Sequence, residues 1–148
     1  EGKVNAVRAL KNLSDGNTAN RVAVAAALVK LLSGGLGEGK AEAAGALSNF
    51  MGDDDSNKAA VVRAGALPLL IELLSSGSDA GKANAAGALT KLAFKDDDNK
   101  AAVLAAGVLI PLVELLSSGS DEGRAYAAEA LANLVFDNNW SVIVAAGA

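Results

Sequence analysis

The chain repeats itself. Residues 38–79 and 80–121 align without a gap, and 27 of the 42 positions are identical. The two copies read EGKAEAAGALSNFMGDDDSNKAAVVRAGALPLLIELLSSGSD and AGKANAAGALTKLAFKDDDNKAAVLAAGVLIPLVELLSSGSD. A third starts at Glu122 as EGRAYAAEALANLVF and runs two residues short before WSVIVAAGA. A degenerate fourth opens the chain as EGKVNAVRALKNLS and rejoins the pattern at LVKLLSGG. A period near 42 restricts the fold more than composition does. Each unit is too small to bury its own apolar face, so it closes its core by stacking on its neighbours.

Nothing in the repeats alternates with the two-residue period of a strand. Alanine (33) and leucine (21), both strong helix formers, dominate the 148 residues, against five aromatics. The expected class is therefore all-α, and each repeat parses into three helices. Residues 55–64 form a short first helix, opened by Asp or Asn accepting from free N–H groups. Gly65 ends it in the left-handed conformation. Residues 66–75 form the second, with Pro68 in its first turn, where no intrahelical bond is lost. Ser78-Asp79 caps the third, residues 79–94, whose Ala85, Ala86, Leu89, Leu92 and Ala93 share one face. Residues 18–33, TANRVAVAAALVKLLS, lack the glycine corner and are expected to run as one continuous helix or to meet at an unusual joint.

The same residues exclude several functions. There is no Cys and no His, so disulfides, thiolate nucleophiles, zinc fingers and the commonest general base are absent. A net charge of −4 argues against a nucleic-acid backbone as the main partner. The longest uncharged apolar run, Ala101 to Val113, is 13 residues and contains Pro111. A membrane span needs roughly 20, so insertion is not expected. The runs Asp53-Asp54-Asp55 and Asp96-Asp97-Asp98 lack the alternating ligands and closing glutamate of a calcium loop. They read as capping, solvated turns that complement the helix dipole. The SSGS turns lack the phosphate-loop pattern and read as helix stops. No catalytic, cofactor or metal constellation escapes the repeat.

The strings AGALPLLIELLSSGS, AGVLIPLVELLSSGS and NKAAVVRAG resemble armadillo repeats, most closely the plant-type repeats of U-box ubiquitin ligases and related scaffold proteins. HEAT repeats are the alternative; the short helix before Gly65 and Gly107 favours armadillo. The resemblance covers essentially the whole chain and is weaker over residues 1–37. It implies a right-handed α-solenoid, three helices per repeat. The expected organisation is a partial repeat 1–16, repeats about 17–52, 53–94 and 95–136, and a partial repeat 137–148. The chain reads as a fragment of a longer protein. The family is eukaryotic and intracellular, which implies a cytoplasmic or nuclear location.

In armadillo proteins the third helices line a concave groove, and an asparagine near the end of each holds an extended peptide. The family's A-L-x-N pattern falls on Asn12, Asn49 and Asn133, while Lys91 stands in the fourth copy. Asparagine offers both a donor and an acceptor, and so can grip a backbone without reading side chains. Residues four and seven earlier share its helix face. The expected groove is therefore Asn5, Arg8 and Asn12; Glu42, Gly45 and Asn49; Asn84, Gly87 and Lys91; Tyr126, Glu129 and Asn133. The opposite face (Leu10 and Leu13, Leu47 and Phe50, Leu89 and Leu92, Leu131 and Leu134) is expected to be core. Alternatively, the asparagines bond only a neighbouring helix. Importins carry tryptophan four residues before the asparagine; here that place holds Arg8, Gly45, Gly87 and Glu129, so nuclear-signal binding of that kind is not expected. Gly45 and Gly87 cost about 1 kcal/mol each relative to alanine, and close helix packing is the expected reason.

The expected function is a non-catalytic scaffold that holds an extended segment of a partner protein. The alternatives are a subunit docked stably in a larger assembly, or the substrate-binding region of a U-box ligase. Self-association through uncapped solenoid ends is also expected, through Val4, Val7 and Leu10 at one end and VIVAA at the other. If the acidic runs are caps rather than ligands, melting curves in calcium, in zinc and in chelator superimpose. A shift of several degrees in any of them would overturn that reading.

Overall fold

The computed structural model describes residues 17–135, which form eight α-helices and no strand. They are α1 (Thr18–Gly34), α2 (Gly37–Met51), α3 (Asp55–Arg63), α4 (Ala66–Ser76), α5 (Asp79–Ala93), α6 (Asp97–Ala105), α7 (Leu109–Ser118) and α8 (Asp121–Val135). The expected boundaries hold to within a residue or so. Helices α2, α5 and α8 stand side by side in one row. Helices α1, α4 and α7 form a second row against it, and short α3 and α6 bridge the two. This is a helical solenoid. The partial repeats expected at 1–16 and 137–148, with Val4, Val7, Leu10, Leu13 and the VIVAA segment, lie outside the described residues.

The polar signals act where they stand in the sequence. Asp54 accepts from the N–H groups of Ser56 and Asn57 at 2.8 and 3.1 Å, and Asp96 from Asn99 at 2.9 Å. Ser78 and Ser120 cap α5 and α8 through Gly81 and Gly123, each at 3.2 Å. Gly65 and Gly107 adopt φ of +84° and +83°, a left-handed state that costs glycine nothing. Through these corners α3 meets α4 at 82° and α6 meets α7 at 80°. With no such glycine, α1 runs unbroken for 17 residues, as its sequence requires. Pro111 stands one alignment column later than Pro68, yet each is third in its own helix, because α7 starts one column later as well. At that place its missing N–H has no intrahelical acceptor to lose.

The core lies between the rows. Leu47, Phe50, Leu89, Leu92 and Leu134 are buried as expected. Leu131 is only half-buried, because no described helix lies beyond α8. Helix α5 is enclosed on every side: ten of its fifteen residues are buried, and seven of those are Ala or Gly. Only such small side chains let neighbouring helices close on both flanks of a third. Among the described residues, no single helix is long and apolar enough to cross a membrane.

Two buried polar residues tie the repeats end to end. The Asn57 amide donates to the carbonyl of Phe50, near the C-terminus of α2, at 2.9 Å. The Lys58 ammonium, 2% exposed, donates to the carbonyl of Phe94 at the end of α5 at 2.9 Å and to Asp55 Oδ1 at 3.3 Å. A cation at a helix C-terminus satisfies a free carbonyl and the negative end of the dipole together. Lys100 occupies the same place one repeat later, equally buried and paired with Asp97 at 3.7 Å. Lys58→Met keeps the stem but leaves the Phe94 carbonyl without its donor. It should lower stability by about 1–3 kcal/mol in urea titration. Lys30→Met, on an exposed position, should stay within about 0.5 kcal/mol. Equal effects of the two would show that Lys58 ties nothing.

Candidate functional site

Repeat periodicity brings the third-helix faces into line. Gly45, Ser48 and Asn49 from α2, Asn84 and Gly87 from α5, and Tyr126 from α8 line one recess of about 100 Å³. Five of these were expected on the face; Ser48, one residue off the predicted stripe, was not. Glu42 and Glu129 are exposed, and Lys91 and Asn133 half-exposed, outside the lining of the recess. Asn5, Arg8 and Asn12 lie outside the described residues.

The asparagines do different work. The Asn84 amide donates across the helix pair to the Ala41 carbonyl at 2.9 Å. It ties α5 to α2 from the column of Glu42 and Tyr126, seven residues before Lys91, and not from the A-L-x-N column. Asn49 is exposed and Asn133 half-buried. Neither has a side-chain hydrogen bond to another described residue. The amides of Asn49, in the recess, and of Asn133, on α8 outside its lining, are thus available to a ligand.

The glycines explain how the recess stays open. A Cβ built on Gly45 would come within 3.3 Å of Asn84 Nδ2, and one on Gly87 within 3.4 Å of the Tyr126 ring. Each first-stripe residue therefore leans over the glycine of the preceding repeat. Packing is tight at Gly45, as expected, whereas at Gly87 a Cβ would meet Tyr126 at ordinary contact distance. The floor under Asn84 and Tyr126 is consequently bare backbone.

Lys91, which breaks the asparagine column, faces Asp53 across the groove edge at 3.7 Å. Asp53 belongs to the acidic turn whose neighbour Asp54 caps α3. The turn thus supplies both a helix cap and a counter-ion. The sequence signalled the first use through its Asp run but not the second, which depends on how α5 is set against α2. The role of the Asn57-Lys58 pair was also unread, although its recurrence as Asn99-Lys100 was visible.

The glycine contacts make a quantitative expectation. Gly87→Ala gains helix propensity and meets Tyr126 at ordinary contact distance, so stability should rise by up to about 1 kcal/mol. Gly45→Ala must push the Asn84 amide off its carbonyl, so its gain should be smaller by about 0.5–1 kcal/mol. In an Asn84→Ala background the difference should vanish. Urea denaturation of the parent and the five variants decides; a larger gain at Gly45 would mean that Asn84 does not hold the helices together.

Comparison with known proteins sharpens these observations. The Armadillo/beta-catenin-like repeat model matches residues 54–94 and 96–136. The crystal structure of one engineered protein is 35% identical, with a TM-score of 0.80; the match covers 97% of this chain and 61% of that one. A designed armadillo repeat protein in complex with the peptide (KR)4 is 27% identical with a TM-score of 0.80, over 97% of this chain and 63% of the other. A further engineered protein is 37% identical with a TM-score of 0.78, over 96% of this chain and 36% of its own. The chain therefore spans less than two thirds of each of these structures. No curated protein matches it.

Proposed function

The chain belongs to the armadillo repeat family, and from that premise we propose that it is a scaffold whose third-helix face holds an extended segment of a partner protein. The observation that carries this reading is the division of labour among the asparagines. Asn84 is spent on Ala41, while Asn49 and Asn133 have no such bond to a described residue. Asn84 stands in the column of Glu42 and Tyr126, so its bond to Ala41 leaves the amides of the A-L-x-N column, Asn49 and Asn133, unspent.

The chemistry is positioning. A side-chain amide meets the N–H and C=O of an extended backbone at once. Asn49 and Asn133 are two repeats apart, roughly 16–20 Å at usual helix spacing. An extended chain covers that distance in about five or six residues. The charge along the face favours a basic segment: Glu129 is exposed, and Lys91 is matched by Asp53. The peptide (KR)4 held by the designed relative is therefore the natural first probe. The face also lacks the tryptophans that make lysine slots in importins, so recognition here rests on backbone amides and acidic charge.

The test is calorimetric titration of (KR)4 into the intact chain and into Asn49→Ala/Asn133→Ala. The double variant should keep its melting temperature, since alanine is the better helix former. Its affinity should fall roughly 5- to 150-fold, because each lost bond contributes about 0.5–1.5 kcal/mol. Unchanged affinity with a lowered melting temperature would show that these asparagines only hold the stack together. Failure of the parent chain to bind would overturn the choice of a basic segment.

A further inference from the structure

The recess on the third-helix face has an aromatic wall and a set of unused acceptors. A Cβ built on Gly87 would lie 3.4, 3.5 and 3.6 Å from Tyr126 Cε1, Cδ1 and Cζ. Near-equal distances to three adjoining ring atoms mean that the ring lies face-down on Gly87, with its other face turned away from the backbone of α5. Beside it, the Asn84 amide spends its nitrogen on the Ala41 carbonyl, and its oxygen accepts from no described residue. Ser48 also departs from the usual pattern. Ser75, Ser76, Ser117 and Ser118 each donate to the carbonyl four residues earlier, whereas Ser48 has no hydrogen bond to a described residue. Asn49 is in the same state.

This recess does not lie at an end of the solenoid. Its lining comes from three consecutive third helices, α2, α5 and α8. Asn84 lies over Gly45, and Tyr126, 42 residues on, lies over Gly87. A helix continuing this register beyond α8 brings its equivalent residue over Glu129, clear of the recess. A helix preceding α2 meets the flank of α2 opposite α5. The recess therefore stays open whatever adjoins the described repeats.

We propose that the recess makes the groove selective for arginine at one place in the bound segment. The inference rests on the groove reading above and names the side chain that the groove takes. A guanidinium is planar, stacks on aromatic faces and presents five N–H donors. Tyr126 supplies the face, and Asn84, Ser48 and Asn49 supply the oxygens. The space of about 100 Å³, roughly three waters' share of the liquid, suits the head group of a side chain. Lysine fits less well, because its ammonium is a compact, strongly hydrated charge with no plane to stack. An apolar side chain would bury the three oxygens without donors. A carboxylate would meet no cation in the lining, since nearby Lys91 is paired with Asp53.

The probes are blocked, fluorescent octa-arginine and octa-lysine, equal in length and charge. Each is titrated into the intact 148-residue chain by anisotropy at one fixed ionic strength. Octa-arginine should bind roughly three- to tenfold more tightly. Tyr126→Phe keeps the aromatic face and should keep that ratio, while Tyr126→Leu should bring it close to one. Ser48→Ala removes one acceptor at a position where alanine is the better helix former. It should fold as the parent does and lower the ratio at least about twofold, and it decides alone if Tyr126→Leu loses its fold. Asn133→Ala, outside the lining, should weaken both peptides and leave the ratio unchanged. Equal affinity of the two peptides for the parent chain would overturn the arginine preference and leave the groove reading standing. A preference that persists undiminished in Ser48→Ala and in folded Tyr126→Leu would also overturn it, by placing its source elsewhere on the surface. Binding of neither peptide would overturn the groove reading and the preference with it.

Discussion

Everything in this molecule depends on how closely the third helices approach one another. A side-chain amide on α5 reaches a backbone carbonyl on α2, and a tyrosine ring on α8 lies over the backbone of α5. Side chains larger than alanine at positions 45 and 87 would run into Asn84 and Tyr126. The run of Ala and Gly, which looks like low information in composition, is therefore the most demanding part of the design. Apolar burial by leucine is generous and non-specific; the approach of two backbones leaves room for little beyond alanine.

Close approach creates a difficulty that the polar residues solve. Helices packed on several sides bury their ends, where carbonyls lack intrahelical partners. Asn57 and Lys58 close the ends of α2 and α5 respectively, so one dipeptide on a short helix serves two repeats. Because each repeat touches only its neighbours, stability is close to a sum of unit and junction terms. Lys58 is one such junction term, since its partner lies 36 residues further along the chain.

The fold was almost wholly legible from the sequence, because its determinants are local and periodic. Gly65, Pro68, Ser78 and Asp54 each act within a few residues of where they stand, and the repeat supplies the long-range order. The absence of a glycine corner in residues 18–33 pointed to either a continuous helix or an unusual joint, and α1 is continuous. The groove was legible as a face but not as a set of bonds. Which asparagine is consumed depends on the offset between neighbouring helices, which places Asn84 against Ala41 and Lys91 against Asp53. That offset is a property of packing, and no motif records it. The paired roles of Asn57 and Lys58 escaped for the same reason, since their partners are backbone carbonyls that carry no signature.

The unbroken helix α1 also bears on the order in which the chain acquires structure. The other two repeats must place a glycine in the left-handed region and turn by about 80° before their first and second helices can pack. Helix α1 has no such step. Its 17 residues are long enough for propagation to outweigh the cost of nucleation, which shorter helices cannot manage alone. Its packing against α2 closes over a two-residue link, Gly35-Leu36, so the loop entropy to be overcome is small. The first described repeat is thus the segment best suited to nucleate folding, with α4 and then α7 adding to its row as the chain condenses toward the C-terminus.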